Sequence, residues 1–358
     1  MKKTLILTTA LTGIAFAASA ADVTVMSWGG AYTTSQVEAY HKPYTAATGN
    51  AVVSVDSDNP APQVKTMVEA GNVSVDVADV EYADAIRLCD EGMLEPIGMD
   101  ALPAGADGTP AADDFLPGAV TDCAVSTIVF STVFAYDDSK FPDEKPTTIA
   151  DLFDTTKFPG KRALGKRPKA NLEMALMADG VPAAEVYATL ATPEGVDRAF
   201  AKLDTIKNDV VWWEAGAQPP QLLADGEVSM TTAYNGRIFS AMVTDGKPFV
   251  TVWDGQVYEY DLFVIPKGAP NLEGALEFVK FATSTQALAD QAKWISYGPA
   301  RKSSGALVGL YQDGKTEMGP HMPTSAANLT NALASSYEFW VDRDAELTER
   351  FNAWLASS

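Results

Sequence analysis

Two cysteines and two histidines in 358 residues leave little for metal or nucleophile chemistry to use. Cys89 and Cys123 lie too far apart for a C-x-x-C motif, and His41 and His321 are distant in the chain, so a His-rich zinc or iron site is not expected. There is no G-x-S-x-G, no H-E-x-x-H and no Walker A, and Gly29-Gly30 lacks the rest of a dinucleotide fingerprint. An enzyme needs a poised nucleophile, base or metal set; without one, a periplasmic enzyme is only a remote alternative, and neither a cofactor nor a metal is expected. Basic charge is also short. The 26 Lys and Arg stand against 47 Asp and Glu, for a net charge of -21. That sign argues against nucleic acid, which requires a basic stripe, and against anionic lipid. It fits a freely diffusing chain kept monomeric by self-repulsion.

Long apolar runs are confined to the N-terminus. Met1-Lys2-Lys3 is a short basic start, Leu5 to Ala18 is apolar and small, and Ala18-Ser19-Ala20 is an A-x-A cleavage pattern. Residues 1–20 therefore read as a secretory signal cleaved near Ala20. No cysteine follows to carry a lipid anchor, so the mature chain is expected to be free in a bacterial periplasm. Losing Lys2 and Lys3 moves the charge from -21 to -23. In that oxidising compartment an isolated cysteine pair forms one disulfide, Cys89–Cys123. A metal or nucleophile role for the pair is the alternative.

The remaining chain is long enough for about two domains of ~150 residues each. Val23 to Ser27, Ala51 to Val55 and Val73 to Val80 read as strands, separated by helices from Thr33 or Thr34 to Ala46, from Gln63 to Ala70 and from Ala83 to Glu91. That β-α-β-α-β-α order implies a parallel sheet with ligands beyond the carboxyl ends of its strands. Cys123 to Tyr136 is a β-branched and aromatic run long enough to leave one sheet and enter another. A second run is Phe249 to Trp253, a turn at Asp254-Gly255, then Val257 to Ile265. Helical stretches lie between the two runs and after the second. Tyr337 to Leu355 reads as an amphipathic helix packed on a lobe. The order predicts an α/β protein of two lobes, 21–131 plus 255–310 and 132–254 plus 311–358, with the two runs as crossover strands and a hinge; a single large sheet with insertions is the alternative. Tyr258 and Tyr260 share one face of the second run, Glu259 and Asp261 the other. A tyrosine-carboxylate ferric site there is a minor alternative.

Four segments resemble one family: Ser27-Trp28-Gly-Gly-Ala-Tyr32, Asp90 to Pro96, Gly226 to Gly236, and Tyr258 to Pro266 followed by Glu273 to Leu276. Together they are similar to the spermidine/putrescine-binding branch of periplasmic solute-binding proteins. The resemblance implies a Venus-flytrap fold, a small amine-bearing ligand, the permease of an inner-membrane ABC importer as partner, and no catalysis. It also implies an aromatic cleft with acids, which suits an alkylammonium through cation–π contacts and charge-assisted hydrogen bonds. Carried over by residue, the cleft would be made of Trp28, Glu81, Tyr82, Tyr234, Asp261 and Tyr297, with Glu259 where the family has an aromatic.

Two departures matter. The stretch Gly165-Lys-Arg-Pro-Lys-Ala170 is basic where polyamine binders carry an acidic pair, and Arg237 follows Tyr234-Asn-Gly where they carry a small residue. A cationic lip opposes a ligand charged positively at both ends. It suits a zwitterion such as 4-aminobutyrate, with Asp261 on the amine, Arg237 on the carboxylate, and Trp28, Tyr82 and Tyr234 along the stem; Arg167 is a second candidate for the carboxylate. Same-fold binders of a ferric ion, a thiamine-like cation or a phosphonate remain the alternatives.

Overall fold

The computed structural model describes residues 22–357. The expected signal segment, residues 1–20, lies outside them. Three parallel strands open the chain: β1 (Val23–Ser27), β2 (Val52–Asp56) and β3 (Val77–Glu81), with β1 between the other two. The third strand starts later than the expected Val73. Asp76, just ahead of it, is buried and holds the backbone N–H of Thr24 at 2.8 Å and of Asn271 at 2.7 Å, so the preceding residues form a connection rather than a strand. The first helical stretch, Gly30 to Thr48, includes a π turn at Val37–His41 just before Pro43, which has no N–H to offer.

Two long strands join the lobes. β4 (Ala124–Asp137) and β8 (Phe249–Val264) pair antiparallel along almost their whole length. At one end β8 pairs with β3, from Ala78↔Val264 to Glu81↔Asp261. At the other, β4 pairs with β7 (Met230–Tyr234), which continues through β5 (Arg162–Gly165) to β6 (Val210–Trp213). Two-residue strands β9 (Gly298–Pro299) and β10 (Leu333–Ala334) add to β4 and β8.

The expected turn at Asp254-Gly255 is a bulge inside one continuous β8. Thr132 faces Val257 and Phe134 faces Val252, so residues 253–256 lie opposite Val133 alone. Gly255 sits at φ 73°, and a Cβ there would stand 2.5 Å from Ile149. The Asp254 carboxylate accepts from the Ile149 N–H and the Asn331 amide, which ties the bulge to its surroundings.

One hydrophobic cluster packs Val23, Val25, Val77, Phe263 and Phe278 around the β1–β3 sheet. A second packs Phe134, Leu164, Leu172 and Met230 on the other side, with Trp340, Leu347 and Phe351 of the C-terminal helix (Tyr337–Ala356) among them. Cys89 and Cys123 are joined in a disulfide, which ties the end of the helix Tyr82–Asp90 to the start of β4.

Candidate ligand-binding site

The carboxyl ends of β1, β3 and β7 converge on the middle of the two crossover strands, and a small cavity lies between them. Its walls are Trp28 after β1, Glu81 at the end of β3, Ile128 and Phe130 of β4, Tyr234 at the end of β7 and Asp261 of β8. Arg237 from the helix Asn235–Val243, Tyr297 and Tyr32 complete it. Six of the eight residues expected at the site are thus brought together: Trp28, Glu81, Tyr234, Arg237, Asp261 and Tyr297. Tyr32, Ile128 and Phe130 were not anticipated. Tyr32 stands in the same Trp28-Gly-Gly-Ala-Tyr segment, one helical turn beyond Trp28, which is the signal that points to it.

Tyr82 and Glu259 do not line this cavity. Tyr82 opens a helix instead of ending the strand, and its ring packs against Tyr260 and against Tyr337 of the C-terminal helix, 4.5 Å between centroids. Glu259 faces the expected side of β8, but its carboxylate is taken by Lys169 Nζ at 2.5 Å. Tyr260 points away from Asp261 and donates to the Pro117 carbonyl.

Aromatic edges shape the walls. Phe130 meets Tyr234 edge-on at 5.4 Å, and Tyr32 meets Tyr297 at 5.4 Å. Glycines make room for these rings. A Cβ on Gly216 would lie 2.7 Å from the Tyr234 ring, and one on Gly236 would lie 2.6 Å from the Tyr297 ring.

The charges come from both lobes. Asp261 and Asp79 are buried and lie on the same face of the sheet, near enough for each charge to act on the other. Burial pushes Asp79 up to about 7; burial, with the Asp79 charge beside it, raises Asp261 well above the usual carboxylate range. Tyr32 Oη donates to Asp79 Oδ2 at 2.8 Å, and the Gln36 amide donates to the same oxygen at 2.5 Å. Opposite, Arg237 is buried and spans the lobes: Nη1 donates to the Gly29 carbonyl at 2.8 Å and Nη2 to the Trp28 carbonyl at 3.0 Å. Gly30, at φ 58°, permits this approach, since a Cβ there would meet Arg237 Nη1 at 2.5 Å. Burial pushes the Tyr297 phenol up to about 12, with the nearby Arg237 charge pulling it down and Asp261 raising it further.

A second set of ions seals the edge. Glu81 accepts from Arg167 Nη1 at 3.1 Å and from Lys169 Nζ at 2.9 Å. Burial works against its charge, but Lys169 and Arg167 outweigh burial and hold it down at about 2. Burial likewise opposes the Lys169 charge, and Glu259 and Glu81 more than restore it. At Glu259 burial outweighs Lys169 and the Glu81 charge adds to the rise, which leaves it high, at about 8. The Arg167 guanidinium also lies over the Tyr234 ring at 5.5 Å.

Residues 39–324 match the model of the family described as bacterial extracellular solute-binding protein. The chain belongs to that family. It is 44% identical over 350 residues to the gamma-aminobutyric acid-binding protein of Pseudomonas aeruginosa, covering 97% of this chain and 95% of that protein. A solved GABA receptor aligns with a TM-score of 0.78 at 34% identity, covering 94% of this chain and 98% of that one. A PBP from A. tumefaciens R10 in complex with agropinic acid aligns at 0.82 and 28% identity, covering 94% and 99%. The two-lobe α/β architecture is that of these periplasmic binding proteins, and the chain is a solute-binding protein, not an enzyme.

As a solute-binding site the cavity has a particular chemistry. Among the described residues, three of its buried polar atoms have no partner: the donors Trp28 Nε1 and Arg237 Nε, and the acceptor Asp261 Oδ1. Unpaired buried polar atoms are costly, and a molecule with an anionic and a cationic end would satisfy both kinds. The apolar wall between, Ile128, Phe130 and Tyr234, suits a short methylene stem.

Proposed function

We propose that the protein captures a short ω-amino acid of the 4-aminobutyrate type, with its ammonium on Asp261 and its carboxylate on Arg237 Nε and Trp28 Nε1. The observation that carries this reading is the set of two unpaired buried donors and one unpaired buried acceptor in a single aromatic cavity. The names of the relatives that bind gamma-aminobutyric acid support it. Trp28, Tyr234 and Tyr297 border the stem. Glu81 shapes the cavity edge through its ion pairs instead of touching the ligand.

The family and the N-terminal sequence support the following setting. The mature chain, cleaved near Ala20, acts in the periplasm as a monomer and hands its ligand to the permease of an ABC importer. The lobes are 21–131 plus 255–310 and 132–254 plus 311–358. They turn about β4 and β8 and close on the ligand by a hinge motion.

Calorimetric titration of the mature chain tests the ligand. The panel is 4-aminobutyrate, 5-aminopentanoate, butylamine, butyrate and 1,4-diaminobutane. Binding of the two amino acids, with butylamine and butyrate each much weaker, is the expected pattern. Equal binding of butylamine and 4-aminobutyrate would refute the carboxylate contact.

A further inference from the structure

The acids of this site form a row. Glu81 and Asp261 are directly paired across β3 and β8, so their side chains are cross-strand neighbours. Glu259 lies two residues further along β8 on the same face, about 7 Å of strand away. That spacing is within reach of a short diamine. Yet only Asp261 is open to a ligand. Lys169, from the other lobe, donates to Glu81 Oε2 at 2.9 Å and to Glu259 Oε2 at 2.5 Å, and is itself nearly buried.

The backbone holds Lys169 in place. The next residue, Ala170, is the one non-glycine at positive φ (67°) among the described residues. Asn171 then locks the turn, its side-chain amide donating to the Gly165 and Arg167 carbonyls at 2.6 Å each. An alanine in the left-handed region costs energy and persists only where its surroundings impose it. The strain falls on the residue that aims Lys169.

We propose that Lys169 is a selectivity residue: its ammonium occupies the place on Glu81 and Glu259 that the second ammonium of a diamine would take, so the cleft admits one amine and rejects two. The inference rests on the reading of the cavity as an amine site. It differs from a plain interlobe tie, because a tie, once cut, weakens every ligand, whereas a surrogate ammonium, once removed, creates a place for a new one.

The test is calorimetric titration of the full mature chain and its Lys169→Met and Lys169→Arg variants with 4-aminobutyrate and with 1,4-diaminobutane. The expected result is a gain of at least about tenfold in diamine affinity for Lys169→Met, from the freed Glu259 carboxylate and the Glu81 oxygen that Arg167 does not hold, and none for Lys169→Arg. A folded Lys169→Met that binds the diamine no better than the parent overturns the proposal, whatever happens to 4-aminobutyrate. Should the single variant fail to fold, Lys169→Met combined with Glu259→Gln removes one surplus acid and leaves Glu81 Oε2 open, with Arg167 still on Oε1. The same gain is expected there, and its absence is equally decisive. If the parent does not bind 4-aminobutyrate, the zwitterion reading fails on its own, and the diamine ratio between parent and variant still decides the role of Lys169.

Discussion

Replacing Arg237 with alanine should abolish tight binding while sparing the fold. In the structure Arg237 makes two hydrogen bonds to backbone carbonyls of the opposite lobe, at 2.8 and 3.0 Å, from a buried guanidinium. Bonds from a charged donor contribute ~1.5–3 kcal/mol each, so the pair supports the closed form by at least ~3 kcal/mol. These bonds span the lobes and exist only when the lobes are together, so their loss appears in affinity rather than in the stability of either core. Three kcal/mol is about a 150-fold increase in Kd. Loss of the ligand's carboxylate contact at Nε adds to that. Lysine should not rescue it, because one ammonium does not reproduce a planar fork that reaches two carbonyls and a ligand together. Titration calorimetry gives Kd, and thermal melting of the ligand-free variant checks the fold. An Arg237→Ala variant that melts like the parent and binds within threefold of it would refute both the clasp and the carboxylate contact.

Affinity should depend on pH with a defined sign. Asp79 and Asp261 both have folded pKa values above their unfolded ones, Asp79 at about 7. Between about pH 4 and pH 7 the ligand-free folded chain therefore holds more protons than the unfolded one, and this pair lowers stability as pH rises through that window. An ammonium needs one ionised carboxylate of this pair, so binding below about pH 7 releases a proton and affinity should climb with pH there, by at most about tenfold per unit. Calorimetry at pH 6 in buffers of different ionisation enthalpy measures the proton; a heat independent of buffer rules the coupling out. Replacing Cys89 and Cys123 with serine opens a loop closed over a separation of 34 residues and should cost ~3–4 kcal/mol on the chain-entropy account. Denaturant unfolding checks this, and an unchanged midpoint contradicts it. At Ala170, with φ 67°, glycine should be tolerated or stabilising by up to ~1 kcal/mol, and valine should destabilise by ~2 kcal/mol or more. Equal melting of the two variants would show that the strain at this turn is not real.

The crossover strands were legible because a strand buried on both faces is a continuous run of β-branched and aromatic residues, and Ser126 to Phe134 is such a run. The disulfide was legible from counting two cysteines in a chain whose N-terminal sequence points to export. Asp254-Gly255 misled, because a glycine at positive φ serves a bulge as well as a turn, and only the pairing partner distinguishes them. Tyr82 was misplaced for a different reason. Glu81 and Tyr82 straddle the change from strand to helix, where the alternation of faces ends. The partner that claims the Tyr82 ring, Tyr337, comes from the far end of the chain. Strand parity set Glu259 on the correct face, and the basic stretch 165–170 was visible as an anomaly. What parity does not provide is the meeting of the two, because Lys169 reaches Glu259 only when one lobe folds over the other.

The unpaired atoms of the cavity also oppose closure without a ligand. Trp28 Nε1, Arg237 Nε and Asp261 Oδ1 are buried without partners in the closed arrangement. Each such group costs ~1–3 kcal/mol relative to its solvated state. At the low end, three of them disfavour ligand-free closure by ~3 kcal/mol, enough to hold the empty closed form to under about one molecule in a hundred against an otherwise balanced hinge. The interlobe bonds of Arg237 and Lys169 pull the other way, so the hinge is set by a difference between two sets of contacts of similar size. A ligand that satisfies all three atoms tips that difference. One that satisfies only the acceptor, as a simple amine does, leaves two donors stranded and closes the lobes less well. Discrimination then lies in the closing step as much as in the contacts themselves. Butylamine should accordingly leave the lobes largely open in small-angle scattering at concentrations where 4-aminobutyrate compacts the particle. Full compaction by butylamine would place the discrimination elsewhere.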